Sequence, residues 1–306
     1  MSNNENENGK IKPGYYTDMP MEDYRAADGV SNSDLLLLEK RPSSVKQHKT
    51  APRDPRKTGA ADFGTIVHTA LLEPENFEGS FIIGPTKSRE TKAFMEFELA
   101  PENRGKLILL EHEYDQLRLT VDCALADPTM ERYLRQHKFD AEASIFVHDE
   151  RLDVMRKIRI DANYCAGGLM IVGDMKSSAG RGEGVIDMWN NPLKWKNPLF
   201  TLNYGHGAAY YLDTASIHYG ESIDRYAFLI IGKTADFGVY PVDVREITRE
   251  ELERYGFFER MNRNLEEYAE RLHADDWESV SRFPLFDEVP GDASFEYVEN
   301  GEDDNE

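Results

Sequence analysis

Residues 152–178, LDVMRKIRIDANYCAGGLMIVGDMKSS, constrain the fold more than any other part of this chain. Two apolar runs flank the turn-rich NYCAGG, so the segment reads as two β-strands joined by a reversal. The first run ends in Asp161; the second, Leu169-Met-Ile-Val-Gly, delivers Asp174-Met-Lys176. Successive side chains of a strand point to opposite faces. Asp174 and Lys176 therefore project together, and Met175 turns to the core behind them. Two carboxylates and one ammonium at the end of an apolar strand suit metal-assisted phosphodiester hydrolysis. Carboxylate oxygens hold Mg²⁺, the metal polarises the phosphoryl oxygen and activates a water, and the lysine steadies the water or the developing charge. The spacing carries a geometric demand. A tight hairpin leaves Asp161 about four residues, or ~13 Å, out of line with Asp174, so the reversal must be wide or a bulge must bend the strand.

The remaining chain supplies elements that can pack around such a pair of strands. Residues 1–12 read as a disordered leader and 13–24, with three tyrosines, as an arm with aromatic anchors. Ser31 is a natural N-cap, with Asp34 three residues on, for a helix whose apolar body is Leu35 to Leu38 and which Pro42 closes. Residues 60–74 have helical periodicity through Phe63, Val67, Ala70 and Leu71, and His68 stands one step off that stripe. A neutral imidazole there is a candidate metal ligand. Residues 88–133 are helix-rich and charged, and 141–147 (AEASIFV) read as the first core strand, carrying Glu142. Residues 199–219 should form a helix facing the sheet, 226–232 and 239–244 two further strands, and 248–273 a long amphipathic helix capped by Thr248 with Glu251. His112-Glu113 lacks the second histidine of a zinc-protease motif. The SSAGRGEGV that follows Lys176 has no Walker lysine, and reads as a loop beside the site from which Arg181 can meet a phosphate.

Charge bears on the partner. The formal net charge of −21 argues against nucleic acid, which wants lysine and arginine. Distribution decides more than the sum. Residues 287–306 carry nine acids and no base, and read as a disordered acidic tail. Residues 40–57 instead hold Lys40, Arg41, Lys46, Lys49, Arg53, Arg56 and Lys57 against the single acid Asp54, a strip compatible with a DNA groove. Arg156, Lys157, Arg159 and Arg181 form a second basic set beside the candidate strands. No apolar run reaches the ~18 residues of a membrane helix. The start MSNNENENGK lacks the apolar core of a secretory signal, and Cys123 and Cys165 form no CxxC, so a cytoplasmic setting is expected.

Three stretches in order, VSNSDLLLLEKRPSSVKQHK, DFGTIVHTALLEPENF and Asp161…GDMK, resemble the nuclease domain of RecE-type exonuclease VIII and its phage relatives, in the RecB-like branch of the PD-(D/E)xK superfamily. The resemblance covers about residues 24–283. It implies an α/β fold: a mixed central β-sheet flanked by helices, with an N-terminal helical extension (30–135) before a catalytic core (140–275), in a single nuclease domain spanning 13–286. It implies a metal-dependent DNA exonuclease acting at double-strand ends and resecting the 5′ strand, with Mg²⁺, or Mn²⁺ in its place. His68, Asp161 and Asp174 would bind metal with the Met175 carbonyl as a further ligand, Glu142 would support the site, and Lys176 would orient water. Ser31, Ser33, Arg41, Arg53, Arg56, Lys57 and Arg181 are candidates for the DNA backbone. The family commonly has Gln-x-x-x-Tyr on the 199–219 helix. Here the tyrosine aligns with Tyr211, leaving Gly207 at the glutamine, or with Tyr210, leaving His206; the glutamine is absent either way. A homo-oligomer, a single-strand annealing partner and a phage or prophage origin in a bacterial cytoplasm complete the expectation. Two alternatives stand beside it: a structure-specific endonuclease of the same superfamily, and a non-catalytic DNA-binding or inhibitory protein that kept the fold.

Overall fold

The computed structural model describes residues 11–52, 63–104, 106–178, 189 and 197–278. Arg53, Arg56, Lys57, Arg181 and the acidic end lie outside the described residues. The continuous apolar run YAFLIIG forms β7 (Arg225–Gly232), and its composition explains its place. Tyr226, Phe228 and Ile230 enter one hydrophobic cluster and Ala227, Leu229 and Ile231 another. A strand buried on both faces needs apolar residues at every position.

Around it runs a six-stranded sheet in the order β1-β4-β5-β6-β7-β8. The members are β1 (Gly14–Tyr16), β4 (Asp140–Asp149), β5 (Val154–Asn163), β6 (Ile171–Ser178), β7 and β8 (Val242–Thr248). Only the β6–β7 pair is parallel, and β2 (Phe81–Ile83) and β3 (Leu107–Leu109) form a separate parallel pair. The helices used below are α1 (Asn32–Lys40), α2 (Pro42–Thr50), α3 (Phe63–Leu72), α4 (Glu111–Ala126), α5 (Tyr204–Tyr219) and α6 (Phe257–Ala274). Leu35 of α1, Ala208 and Leu212 of α5 and Leu265 of α6 bury one face of the sheet with Val172 and Phe228. Ile66 and Leu71 of α3 and Leu117 of α4 bury the other with Met175 and Leu229. The result is the mixed α/β sheet between helices that the sequence leads one to expect.

Local chemistry moved several boundaries. Pro42 does not merely end a helix; it begins α2 at a first-turn position where its missing N–H costs nothing. The predicted helix over 248–273 is two, Arg249–Arg254 and α6, because Gly256 takes a left-handed φ of 76° between them. The aromatic arm contributes an edge strand: Gly14, Tyr15 and Tyr16 pair with Phe146, Ile145 and Ser144. No helix of the described residues is long and apolar enough to cross a membrane.

The β5–β6 reversal meets the geometric demand through its width. A short 3-10 turn, Tyr164–Gly167, and Gly168 at φ 89° carry the chain round, so the ladder pairs Asn163 with Val172 and Ala162 with Gly173. The next step of that register sets Asp161 level with Asp174. There the ladder stops, and the two strands part.

Candidate metal centre

The fork between β5 and β6 is where the site is built. Beyond Gly173 the backbone of β6 has lost its partner on β5, and a buried N–H without a partner is costly. Asp161 Oδ2 accepts from the Met175 N–H at 2.9 Å instead, which locks that carboxylate across the fork. Gly173 makes the close approach possible: a Cβ there would lie 2.6 Å from Tyr164 Cε2 and 2.9 Å from the Ala162 carbonyl oxygen. Met175 packs into the cluster with α3 and α4, so Asp174 and Lys176 share the opposite face of β6. Lys176 Nζ lies 2.6 Å from Asp174 Oδ2 and 5.0 Å from the centre of the Tyr204 ring on α5.

Two further groups arrive from other elements. His68 follows the core residue Val67 on α3 and reaches the fork, with Nε2 3.1 Å from Asp161 Oδ2 and Nδ1 3.3 Å from Glu142 Oε1. Glu142 sits on β4 at a left-handed φ of 52°, a conformation that costs of order 1–3 kcal/mol for a residue with a side chain. It is missing from a β4–β5 ladder that keeps one register on both sides of it, Ala141 with Ala162 and Ala143 with Ile160. Its other carboxylate oxygen accepts from Arg159, which also donates to the Met19 carbonyl at 2.7 Å and to Ser144 Oγ at 3.2 Å. Arg159 stands two residues before Asp161 on the same strand face, so the alternation that marked the aspartate also marked the arginine as its neighbour.

Three carboxylates thus face three cations, and the charges set one another. Burial works against ionising Asp161, but the His68 hydrogen bond, the charges of His68 and Lys176 and the Met175 N–H outweigh it and hold the carboxyl low, at about 2. Burial and the nearby Asp161 charge push Asp174 upward against the pull of Lys176. His68 would lose its proton through burial; its bond to Asp161 and the charges of Asp161, Glu142 and Asp174 win, raising it to about 9. Burial likewise opposes the charge on Lys176, yet Asp174 and Asp161 keep the ammonium protonated far beyond its ordinary range.

His68, Glu142 and Asp161 each offer a ligand atom, and all these atoms lie within 4.8 Å of one another. Two hard carboxylate oxygens and one imidazole suit Mg²⁺ or Mn²⁺, so the residues present fit a divalent cation. The cleft they line measures about 440 Å³ and also takes in Met21, Tyr24, Asp174, Lys176 and Tyr211. A neighbouring cavity of about 830 Å³ contains Ser31, Ser33, His48, Lys49 and Lys157, and shares Met21, Tyr24 and Tyr211 with the cleft.

The other expected residues divide. Ser31 is occupied as a cap: its hydroxyl donates to Asp34 Oδ2 at 2.7 Å and accepts from the Asp34 N–H. Ser33 lines the neighbouring cavity, and Arg41 is exposed at the α1–α2 junction, lining neither space. Of the two alignments on α5, Gly207 and Tyr211 face a recess beside Asp174 and Lys176. His206 and Tyr210 are fully buried, with the Tyr210 hydroxyl donating to the Val30 carbonyl. The described members of the second basic set, Arg156, Lys157 and Arg159, are spent internally. Arg156 is buried against Asp149 and Asp213, and Lys157 Nζ donates to the carbonyls of Tyr24, Arg25 and Ala27. Sequence reading assigned Tyr24 only the part of an aromatic anchor and Tyr204 none, and both line spaces at the site.

The family model described as "PDDEXK-like domain of unknown function (DUF3799)" matches residues 31–270. Among solved structures the chain is similar to the crystal structure of "Putative exonuclease" from Eubacterium rectale, with a TM-score of 0.54 and 12% identity over 88% of this chain and 97% of that one. At that identity the likeness concerns the fold. No curated protein matches.

Proposed function

Because the chain belongs to the PDDEXK-like family DUF3799, we propose that it is a divalent-metal-dependent nuclease, with the β5–β6 fork as its active site. The observation that carries this reading is the convergence of His68, Glu142 and Asp161 within ligand distance beside the Asp174–Lys176 pair, on the wall of an open cleft. A bound cation supplies charge to polarise the scissile phosphate and to make water acidic enough to attack at neutral pH. Mg²⁺ is the favoured ion, since two of the three ligands are hard oxygens.

The protein's own groups have separable tasks. Asp161 is ionised and anchored by the Met175 N–H, so it presents its charge without having to reorient. Arg159 fixes Glu142 from behind. His68 would have to give up its proton for a ring nitrogen to serve as a ligand beside the two carboxylates. Lys176 cannot act as a base, because Asp174 and Asp161 keep it charged; it holds and orients the attacking water or stabilises charge building on the phosphate. Tyr204 packs over the ammonium and limits its wandering.

The narrower form of the proposal is an exonuclease that enters at a double-strand end and resects the 5′ strand, supported by the resemblance of the sequence motifs and by the described name of the E. rectale protein. The test is incubation of linear and closed circular duplex DNA with and without Mg²⁺. Loss of linear DNA alone, abolished by chelator, is the expected result. Cutting of the closed circle would replace the exonuclease with an endonuclease, and no cutting of either would leave a DNA-binding protein that kept the fold.

A further inference from the structure

One side chain beside the site has a fixed orientation that neither the metal centre nor the core explains. Asn32 opens α1, on the wall between the large cavity and the recess that holds Asp174, Lys176, Tyr204 and Gly207. Its Oδ1 lies 2.7 Å from His206 Nδ1. The other ring nitrogen, Nε2, lies 3.1 Å from Asn264 Nδ2, and that same amide nitrogen is 2.8 Å from Glu39 Oε1. Glu39 is in turn held by the Arg260 guanidinium through two of its nitrogens, Nε at 2.6 Å.

The direction of every bond in this chain follows from its end. A carboxylate only accepts, so the Asn264 atom facing Glu39 must be its NH₂ group. That group also faces His206 Nε2, which must therefore be the acceptor nitrogen of a neutral ring. Burial favours the neutral ring, pushing His206 down to about 4. The proton of the imidazole is then on Nδ1, it donates to Asn32, and Asn32 must present Oδ1 to it. The carboxamide NH₂ of Asn32 is left turned the other way. It makes no hydrogen bond to any described residue, and it lies beside the bare Cα of Gly207 on α5, where an added Cβ would stand 3.3 Å from Nδ2. Two buried groups, His206 and Asn264, and the Glu39–Arg260 pair nearer the surface, on three helices in all, thus serve to aim one donor into space next to the catalytic lysine.

We propose that Asn32 is a substrate-binding residue whose NH₂ group donates to an oxygen of the DNA backbone next to the scissile phosphate, and that Arg260, Glu39, Asn264 and His206 are the positioning residues that hold it so. The proposal rests on the nuclease reading and deepens it. A strand whose scissile phosphate lies at Lys176 must continue past it, and the recess beyond the lysine is bounded by Asn32 and by aromatic rings. Phosphate oxygens accept and never donate, so a carboxamide oriented NH₂-outward matches them, whereas one oriented oxygen-outward would repel them. The missing side chain of Gly207 leaves the room.

The test uses the full chain and linear duplex DNA. Asn32→Asp keeps the shape and the His206 bond but replaces the donor with an anionic oxygen. We expect KM, and the Kd for DNA in chelator, to rise about tenfold, about 1.4 kcal/mol, with the loss falling on KM because the contact exists before the transition state. The melting temperature should not fall, since an acid suits the first turn of a helix. Asn32→Ala loses the contact too, and adding Gly207→Gln to it should recover most of the affinity: among the described residues, its own helix turn aside, only Asn32 lies within 4 Å of a Cβ at 207, so truncation opens the space for a second amide. Parental KM and Kd in Asn32→Asp overturn the proposal. If that variant fails to fold, the Ala and Ala/Gln pair decides: recovery supports it and no recovery overturns it. The unaltered chain run alongside separates the two readings. If it cuts DNA and the variants match it, only the role of Asn32 falls; if it neither binds nor cuts, the nuclease reading falls and this proposal with it.

Discussion

Titrating Mg²⁺ into the metal-free protein over a pH series perturbs one proton above all, the one His68 holds between Glu142 and Asp161. With His68 raised to about 9, roughly nine in ten molecules carry that proton at pH 8. A cation that binds through the neutral imidazole must release it; a cation held by the carboxylates alone would still expel it by charge. Below the His68 value, apparent affinity should therefore rise about tenfold per pH unit, about 1.4 kcal/mol each, and about a hundredfold between pH 6.5 and 8.5. Asp174, pushed up to about 7 by burial and by the Asp161 charge against the pull of Lys176, sheds its own proton in the lower half of that range and adds to the slope there, so the protons are counted at pH 8. Calorimetry at pH 8 in two buffers of different ionisation heat should count close to one proton released per metal. In His68→Gln the count should fall toward zero and the pH slope flatten. A dissociation constant that does not change from pH 6.5 to 8.5, or a release that persists undiminished in His68→Gln, refutes this account of the site.

Other outcomes follow from the same geometry. In the metal-free protein His68 rises from 6.5 to about 9 on folding, so its contribution is fully present below pH 6.5 and is lost as pH climbs through 9; denaturant unfolding should show a fall of order 3 kcal/mol, while metal affinity moves the opposite way. Asp174→Ala and Lys176→Ala should each reduce cleavage at least about 100-fold with an unchanged circular dichroism spectrum, since both act on charge at the reacting phosphate; near-parental digestion by either would defeat their assignment. Gly173→Ala forces a methyl against Tyr164 and the Ala162 carbonyl, and should cost about 1–3 kcal/mol in chemical denaturation and weaken metal binding by pushing β6 away from β5 where the Met175 N–H holds Asp161. Deleting residues 287–306 removes nine acids and should strengthen DNA binding most at low salt, whereas reversing Arg53, Arg56 and Lys57 to Glu should weaken it and flatten the salt dependence; fluorescence anisotropy across a salt series reads both.

What the sequence by itself determined was whatever depends on short-range pattern. Alternation placed Asp174 and Lys176 on one face of β6 with Met175 behind them, and the apolar run of 226–232 marked a strand. The Ser31–Asp34 and Thr248–Glu251 pairs announced the helix starts that the structure contains. The demand that Asp161 and Asp174 come level was legible too, and of its two solutions, a bulge or a wide reversal, the structure contains the wide reversal. Tertiary structure decided what those groups meet. The resemblance of the stretch around it named His68 as a metal ligand, but it lies 74 or more residues in sequence from each acid it meets, and only the packing of α3 beside the fork delivers it there. Ser31 reads from sequence as a cap and as a candidate phosphate ligand alike, and the structure shows its hydroxyl engaged with Asp34. His206 and Tyr210 were indistinguishable by spacing from Gly207 and Tyr211, since a shift of one residue on a helix turns a side chain by about 100°, and which of the two faces meets solvent is set by the sheet. Asn32 carried no signal at all, because an asparagine acquires a direction only from the chain of partners that folding assembles around it.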